Sequence, residues 1–307
     1  MSLISKWNHF WFQPVHPGSL GVMRISLGLM LAASHLMLWP DLVMLYGPEG
    51  PVPTNIVTSG SYRWSYLDYI GNDEALHMVH GAGLIVFLLF ALGWRTRTMA
   101  WLALLIQVAY HHRNPWCQHG GDRVFRLMTL YMALAPTGAA MSIDALRRKI
   151  PVVPPILSHR LIQLQLMVIY LFSGIEKVHG SSWLNGTANY YALATRNFQR
   201  FPGLLDPILS SAVGQWAIMA TTWITVVWEL AFTAMVLWKP TRRWALWIGV
   251  GVHVGIAATM MVGSFSFIMM WAYLAFVDPD KLGAWGEQKW ESIIRRVRPQ
   301  SLAAREE

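Results

Sequence analysis

The chain holds a single cysteine, Cys117. No disulfide can form within it, and cysteine usage therefore says nothing about redox compartment. Charge is scarce too. Only 13% of the residues are Asp, Glu, Lys or Arg, where a soluble domain carries roughly a quarter. That shortage leaves no room in 307 residues for a large soluble domain. No glycine-rich phosphate loop, Ser-x-x-Lys motif or Gly-x-Ser-x-Gly elbow is present, so nothing points to nucleotide or serine acyl-transfer chemistry. Internal repeats and low-complexity tracts are absent as well. The net charge of +8 does not imply nucleic acid, because no basic stripe interleaves with aromatics on a soluble module. A cleavable signal peptide is not expected. The first apolar run starts near Leu20, after a lead containing Trp7, Phe10, Trp11 and Phe12, and it continues at a length suited to a span. The lead reads as an interfacial segment, since tryptophan favours the headgroup level.

What the chain does have is hydrocarbon. Hydrophobic residues make up 54% of it, and the mean hydropathy is +0.36. With roughly 20 apolar residues needed per crossing, the pattern predicts an all-α, polytopic integral membrane helix bundle of about eight transmembrane helices. Their expected positions are near 19–39, 75–93, 98–111, 123–138, 158–178, 213–238, 241–261 and 263–277. Basic residues gather in alternate loops: Arg95 and Arg97; Arg147, Arg148 and Lys149; Lys239, Arg242 and Arg243; Arg295, Arg296 and Arg298. All fall on one side if both termini are cytoplasmic, as the positive-inside rule requires. The long loops 40–74, 112–122 and 179–212 then face away from the cytoplasm. Residues 1–279 are expected to form the membrane domain, and 280–307 a cytoplasmic, basic, amphipathic tail lying on the leaflet, with a disordered tail as the alternative.

Within the apolar runs, ionisable residues mark candidate sites. The richest stretch is Tyr170-Leu-Phe-Ser-Gly-Ile-Glu-Lys-Val-His-Gly-Ser-Ser-Trp-Leu-Asn-Gly186. Gln163, Tyr170, Ser173, Gly174 and Lys177 share one helix face by spacing, and Ser173 and Gly174 leave a notch beside the lysine. That notch suits either a ligand pocket or a close helix contact. A lysine amine in an apolar setting can act as a base; near a span end it can also simply snorkel to the headgroups. Glu229 lies ten residues before Lys239, and His253 ten after Arg243. Both are thus roughly 15 Å from the cytoplasmic boundary on consecutive spans, and we expect them to pair. Gly251 and Gly255 flank His253 in a pattern that permits close approach of a helix or flat ligand. The third loop, His111 to Asp122, holds three histidines and Cys117, but its spacing fits no zinc framework, and no metal is expected. A polar lip over a membrane pocket is the alternative. Asn185-Gly-Thr187 matches a glycosylation sequon, a pattern common by chance.

These residues resemble the membrane domain of vitamin K-dependent gamma-carboxylase and its bacterial relatives, the HTTM (horizontally transferred transmembrane) domain proteins. Tyr170 to Gly186 looks like that family's lysine motif. His253, Gly263, Phe265 and Met269 keep its spacing after a membrane histidine, and Glu229 precedes that histidine as expected. The resemblance covers nearly the whole chain, to about Pro279. It implies that Lys177 and His253 are catalytic, Lys177 as the base toward a reduced quinone, either menaquinol or a vitamin K hydroquinone-like molecule. It further implies a cofactor pocket built by Tyr170, Gly174, Trp183, Glu229, Asn114 and His119. Where the family's second pocket histidine follows an asparagine, this chain reads Asn114-Pro115, with His112 and His119 nearby. The carboxylase also carries a long soluble C-terminal region; the present chain ends soon after its last span, which argues against processive carboxylation of a tethered protein. The expected partners are the lipid bilayer, a quinol, and a peptide substrate or maturation partner. The expected location is the bacterial inner membrane, with the active site facing outward. The alternative is a non-catalytic membrane module for binding, peptide maturation or transport.

Overall fold

The computed structural model describes residues 2–52 and 63–297. Arg298, counted above with the last basic cluster, lies outside them. Among the described residues every regular element is helical, apart from isolated bridges joining Pro14 to Pro155 and Gln199 to Met260. In chain order the helices are α1 (Leu3–Phe12), α2 (Pro17–Met37), α3 (Leu42–Tyr46), α4 (Asp73–Leu92), α5 (Thr96–Arg113), α6 (Gly120–Ala133) and α7 (Ile143–Arg147). They continue as α8 (Leu157–His179), α9 (Ser181–Leu184), α10 (Ala188–Ala194), α11 (Pro202–Ser210), α12 (Ala212–Leu237), α13 (Lys239–Thr259), α14 (Phe265–Ala272) and α15 (Pro279–Val297). The chain divides into two compact units, Met1–Arg160 with Val277–Glu307, and Leu161–Phe276.

Four of these helices are long and apolar enough to cross a bilayer: α2, α4, α8 and α12. The molecule is a membrane protein. The other four expected spans are also helical, but each falls short for a physical reason. At 14 residues, α6 extends only about 21 Å, less than a hydrocarbon core of about 30 Å. The last expected span is α14 followed by a 3-10 turn, Tyr273–Phe276. Cations at the helix ends lower the hydropathy of the remaining two: Arg97 and Arg113 in α5, and Lys239, Arg242 and Arg243 in α13.

In the first unit, α2 packs on α4 and on α15. Gly18 allows the second contact, because a Cβ there would lie 2.6 Å from the Gly283 carbonyl oxygen. Helix α4 starts cleanly, since Asn72 accepts from the Ala75 N–H at 2.8 Å and Asp73 and Glu74 occupy its first turn. It ends on Gly93, whose φ of +72° lies in the left-handed region that favours glycine. Arg24 sits fully buried in the middle of α2. Its guanidinium donates to the carbonyls of Ala91 (3.3 Å), Thr137 (2.7 Å), Ala140 (3.1 Å) and Met141. An arginine inside a span-length helix is thereby spent on closing the 137–141 turn.

In the second unit, α12 packs on α13 and α13 on α14, while the short helices α10 and α11 lie against α12. The intervening loop is closed by Asp206, which accepts from the Gln199 amide at 2.9 Å and pairs with Arg196 at 3.0 Å. Those two partners hold its carboxyl below the ordinary range.

Candidate functional site

The polar stripe of α8 is satisfied at each step. Gln163, Tyr170 and Lys177 are seven residues apart, two helical turns, so they share a face. Gln163 donates to the Ala275 carbonyl at 2.6 Å. The Tyr170 hydroxyl bonds to His253 Nε2 at 2.8 Å and to the Tyr273 hydroxyl at 2.5 Å. Lys177 Nζ donates to Ser173 Oγ at 2.6 Å and to Glu229 Oε2 at 2.7 Å.

Lys177 and Glu229 are only 16% and 10% exposed at their side chains, so the pair is largely withdrawn from solvent. The Trp183 ring lies 4.8 Å from Nζ, a cation–π contact that covers the ammonium. Trp183 reaches that position because the chain turns at Gly180, whose carbonyl accepts from the Trp183 N–H at 3.0 Å. Glu176, the carboxylate next to Lys177 in sequence, is exposed. Adjacent helical residues point about 100° apart, so the lysine finds its partner 52 residues away instead. Gly174 makes this possible. A Cβ there would come within 2.9 Å of Leu230 Cδ2 and 3.1 Å of its backbone nitrogen. The notch beside the lysine is filled by a close contact between α8 and α12, not by open space.

The expected Glu229–His253 pair is not formed. Glu229 pairs with Lys177 and His253 with Tyr170. The turn between α12 and α13 lies at Trp238, nine residues after Glu229 but fifteen before His253, so the two are out of register; and Trp228, about 100° round α12 from Glu229, takes the side facing α13 and donates to the Ala245 carbonyl at 2.9 Å. His253 is 3% exposed, and its Nδ1 has no hydrogen-bond partner. Tyr170 lies among Trp228 and Phe232 at ring distances of 4.6 and 4.4 Å, and Phe265 stands edge-on to His253 at 5.6 Å. Gly251 and Gly255 do not take part, since a Cβ at either would meet no atom within 4 Å.

Asn114 and His119 belong to the first unit, where both serve local structure. Asn114 donates to the Leu45 carbonyl at 2.8 Å and accepts from the N–H groups of Trp116 and Cys117. His119 caps α6, accepting from Gly121 while Asp122 accepts from the His119 backbone. His112 bonds to the backbone of Trp64. Among the described residues no three His, Cys, Asp or Glu side chains gather as metal ligands.

Sequence reasoning passed over a second polar cluster, in the first unit. His35 on α2 and His80 on α4 stack at 3.6 Å, and each donates through Nε2 to the other's carbonyl, at 3.1 and 2.9 Å. Because that nitrogen donates, Nδ1 of a neutral His80 must accept from the Tyr110 hydroxyl, at 2.7 Å. The sequence signal was weak: His35 toward the end of one apolar run, and His80 in another that also holds His77.

An α-helical membrane protein with a lysine–glutamate pair withdrawn between span-length helices is the class that these features define. The chain belongs to the HTTM domain family, whose model matches residues 12–281. It is similar to YitO of Bacillus subtilis (strain 168), described as an uncharacterized protein, with 24% identity over 218 residues, 68% of this chain and 69% of YitO. It is also similar to the sporulation-delaying protein SdpB of the same organism, with 29% identity over 123 residues. That match covers 39% of this chain and 37% of SdpB. No solved structure matches.

Proposed function

We propose that this protein is a bacterial inner-membrane enzyme that uses a reduced quinone, with Lys177 as the base, to oxygenate or modify a peptide or small substrate. The observation that carries the reading is the Lys177–Glu229–Ser173 network. An ionisable pair costs several kcal/mol in hydrocarbon unless it is partnered, and here each charge faces the other at 2.7 Å. Glu229 gives the lysine proton somewhere to go. Passing it from Nζ to Oε2 over 2.7 Å leaves a neutral amine beside a neutral acid, and Ser173 and Trp183 keep that amine in place. Such an amine can accept a proton from a weakly acidic hydroxyl. A reduced quinone, when bound, supplies that hydroxyl and the electrons for oxygen chemistry. The residues fit such a group: the His253 ring is buried among aromatic rings with one nitrogen unpartnered, which suits a flat apolar molecule with oxygen at its edge. Lys177 and His253 would hold it. Purified protein given menaquinol, oxygen and membrane extract is expected to form a quinone epoxide detectable by mass spectrometry. Menaquinol recovered without oxygenated product would set the enzyme reading aside. That outcome would leave standing a second reading, a non-catalytic membrane module for binding, peptide maturation or transport.

The same reading places both termini in the cytoplasm and the 112–122 loop outside, following the basic clusters. Cys117 is exposed. Partial burial pushes its thiol up, so labelling needs mildly alkaline pH to populate the thiolate. A membrane-impermeant maleimide on intact cells is expected to label Cys117. In a Cys117→Ser background it should not label Lys149→Cys, an exposed position beside Arg147 and Arg148. Labelling at 149 alone would reverse the orientation.

A further inference from the structure

We infer that Tyr273 and Tyr170 act as positioning residues that fix the His253 ring with its proton on Nδ1, so that the ring offers one N–H donor to an oxygen acceptor on a ligand. The hydrogen-bonded chain runs Tyr273 hydroxyl, Tyr170 hydroxyl, His253 Nε2, with links of 2.5 and 2.8 Å. It can be oriented in two ways. If the protons point toward the histidine, Tyr273 donates to Tyr170 and Tyr170 donates to Nε2. The ring proton then sits on Nδ1, and one buried group, that N–H, lacks a partner within the chain. If they point away, Nε2–H donates to Tyr170 and Tyr170 donates to Tyr273. The Tyr273 proton is then left at the far end of the chain, and Nδ1 becomes a bare lone pair that is buried and unpartnered. The first orientation leaves one unsatisfied group and the second leaves two. Buried polar groups without partners are penalised, so the first prevails.

The packing supports a built device. A Cβ at Gly249, one turn before His253 on the same face of α13, would strike the Tyr273 hydroxyl and lie 2.7 Å from Trp228 Cζ2. Glycine at 249 thus lets the hydroxyl close against the helix that carries the histidine. Tyr170, His253 and Tyr273 are 2%, 3% and 5% exposed, so no bulk water competes for these bonds. The resulting donor suits a ligand oxygen that accepts a hydrogen bond, such as a hydroxyl oxygen at the edge of a reduced quinone. This last clause rests on the quinone reading above; the placement of the proton does not.

The test separates the two. Protein labelled with 15N-histidine in nanodiscs is examined by NMR, with His253→Asn identifying the resonances. The expected result is a protonated Nδ1 and an unprotonated, hydrogen-bonded Nε2. Tyr170→Phe should abolish the Nε2 hydrogen-bond shift and let the other tautomer appear, while Gly249→Ala should weaken that shift. A proton on Nε2 in the parent protein overturns the inference. Menaquinol binding, measured without oxygen, is then compared between His253→Asn, whose amide nitrogen mimics Nδ1, and His253→Gln, whose amide nitrogen mimics Nε2. Retention by the first and at least a tenfold loss by the second supports the donor role, and the reverse order overturns it. If the parent binds no menaquinol, the quinone reading falls, and the NMR result alone decides the tautomer.

Discussion

Lys177→Arg is expected to leave the fold intact while quinol-dependent turnover drops by at least ~100-fold. A positioned general base contributes roughly 100- to 10,000-fold to rate. Guanidinium keeps its proton at any usable pH, so it cannot serve as that base. It can still pair with Glu229, because a planar fork suits a carboxylate at least as well as an ammonium does. The Trp183 face can accept a guanidinium too, since arginine stacks on aromatic rings. The substitution therefore removes the proton transfer and keeps the ion pair, which separates catalysis from structural support. Thermal stability in detergent should change little. A small exogenous amine is expected to restore part of the activity of Lys177→Ala, the space left by the side chain admitting it. If Lys177 only balances Glu229, Lys177→Arg will be silent in both stability and activity. An active Lys177→Arg enzyme ends the base role.

The sequence made the helix positions legible because apolar runs and their flanking cations are local signals. All eight expected segments are helical, and α2, α4, α8 and α12 have the length and composition of spans. The number of crossings was not equally legible. Whether a 14-residue helix such as α6 spans depends on what surrounds it, which composition does not encode. The stripe from Gln163 to Lys177 was readable from helical spacing alone, and the structure satisfies each of those polar groups within the second unit or along α8 itself. The partner assignments were not readable. Counting residues from a basic cluster misjudged the register: α13 starts at Lys239, before Arg242 and Arg243, so His253 stands farther from the turn at Trp238 than Glu229 does. Rotation about the axis is set by packing, in this case by Gly174 against Leu230 and by Trp228 against Ala245. Tyr273 and the His35–His80–Tyr110 cluster escaped notice for the same reason. A lone tyrosine or histidine in an apolar run carries no sign of the residue it will meet.

That difference in pairing yields a test with a change of sign. Lys177→Met and Glu229→Leu each strand one charge of a pair that the fold withdraws from water, and breaking a buried pair from one side costs about 3–5 kcal/mol. Replacing both partners with apolar side chains of similar size removes the stranded charge, and such replacements are often neutral. The double variant is therefore expected to be more stable than either single variant, with a coupling of about 1–3 kcal/mol in thermal or denaturant unfolding. Ser173 limits the recovery, since its hydroxyl loses the ammonium it accepts from. The parallel cycle of Glu229→Leu with His253→Ala should be additive to within about 0.5 kcal/mol, because the two side chains share no bond. Strong coupling of Glu229 to His253, with additivity between Glu229 and Lys177, would mean that depth had identified the true partner and that the ion pair described here does not form.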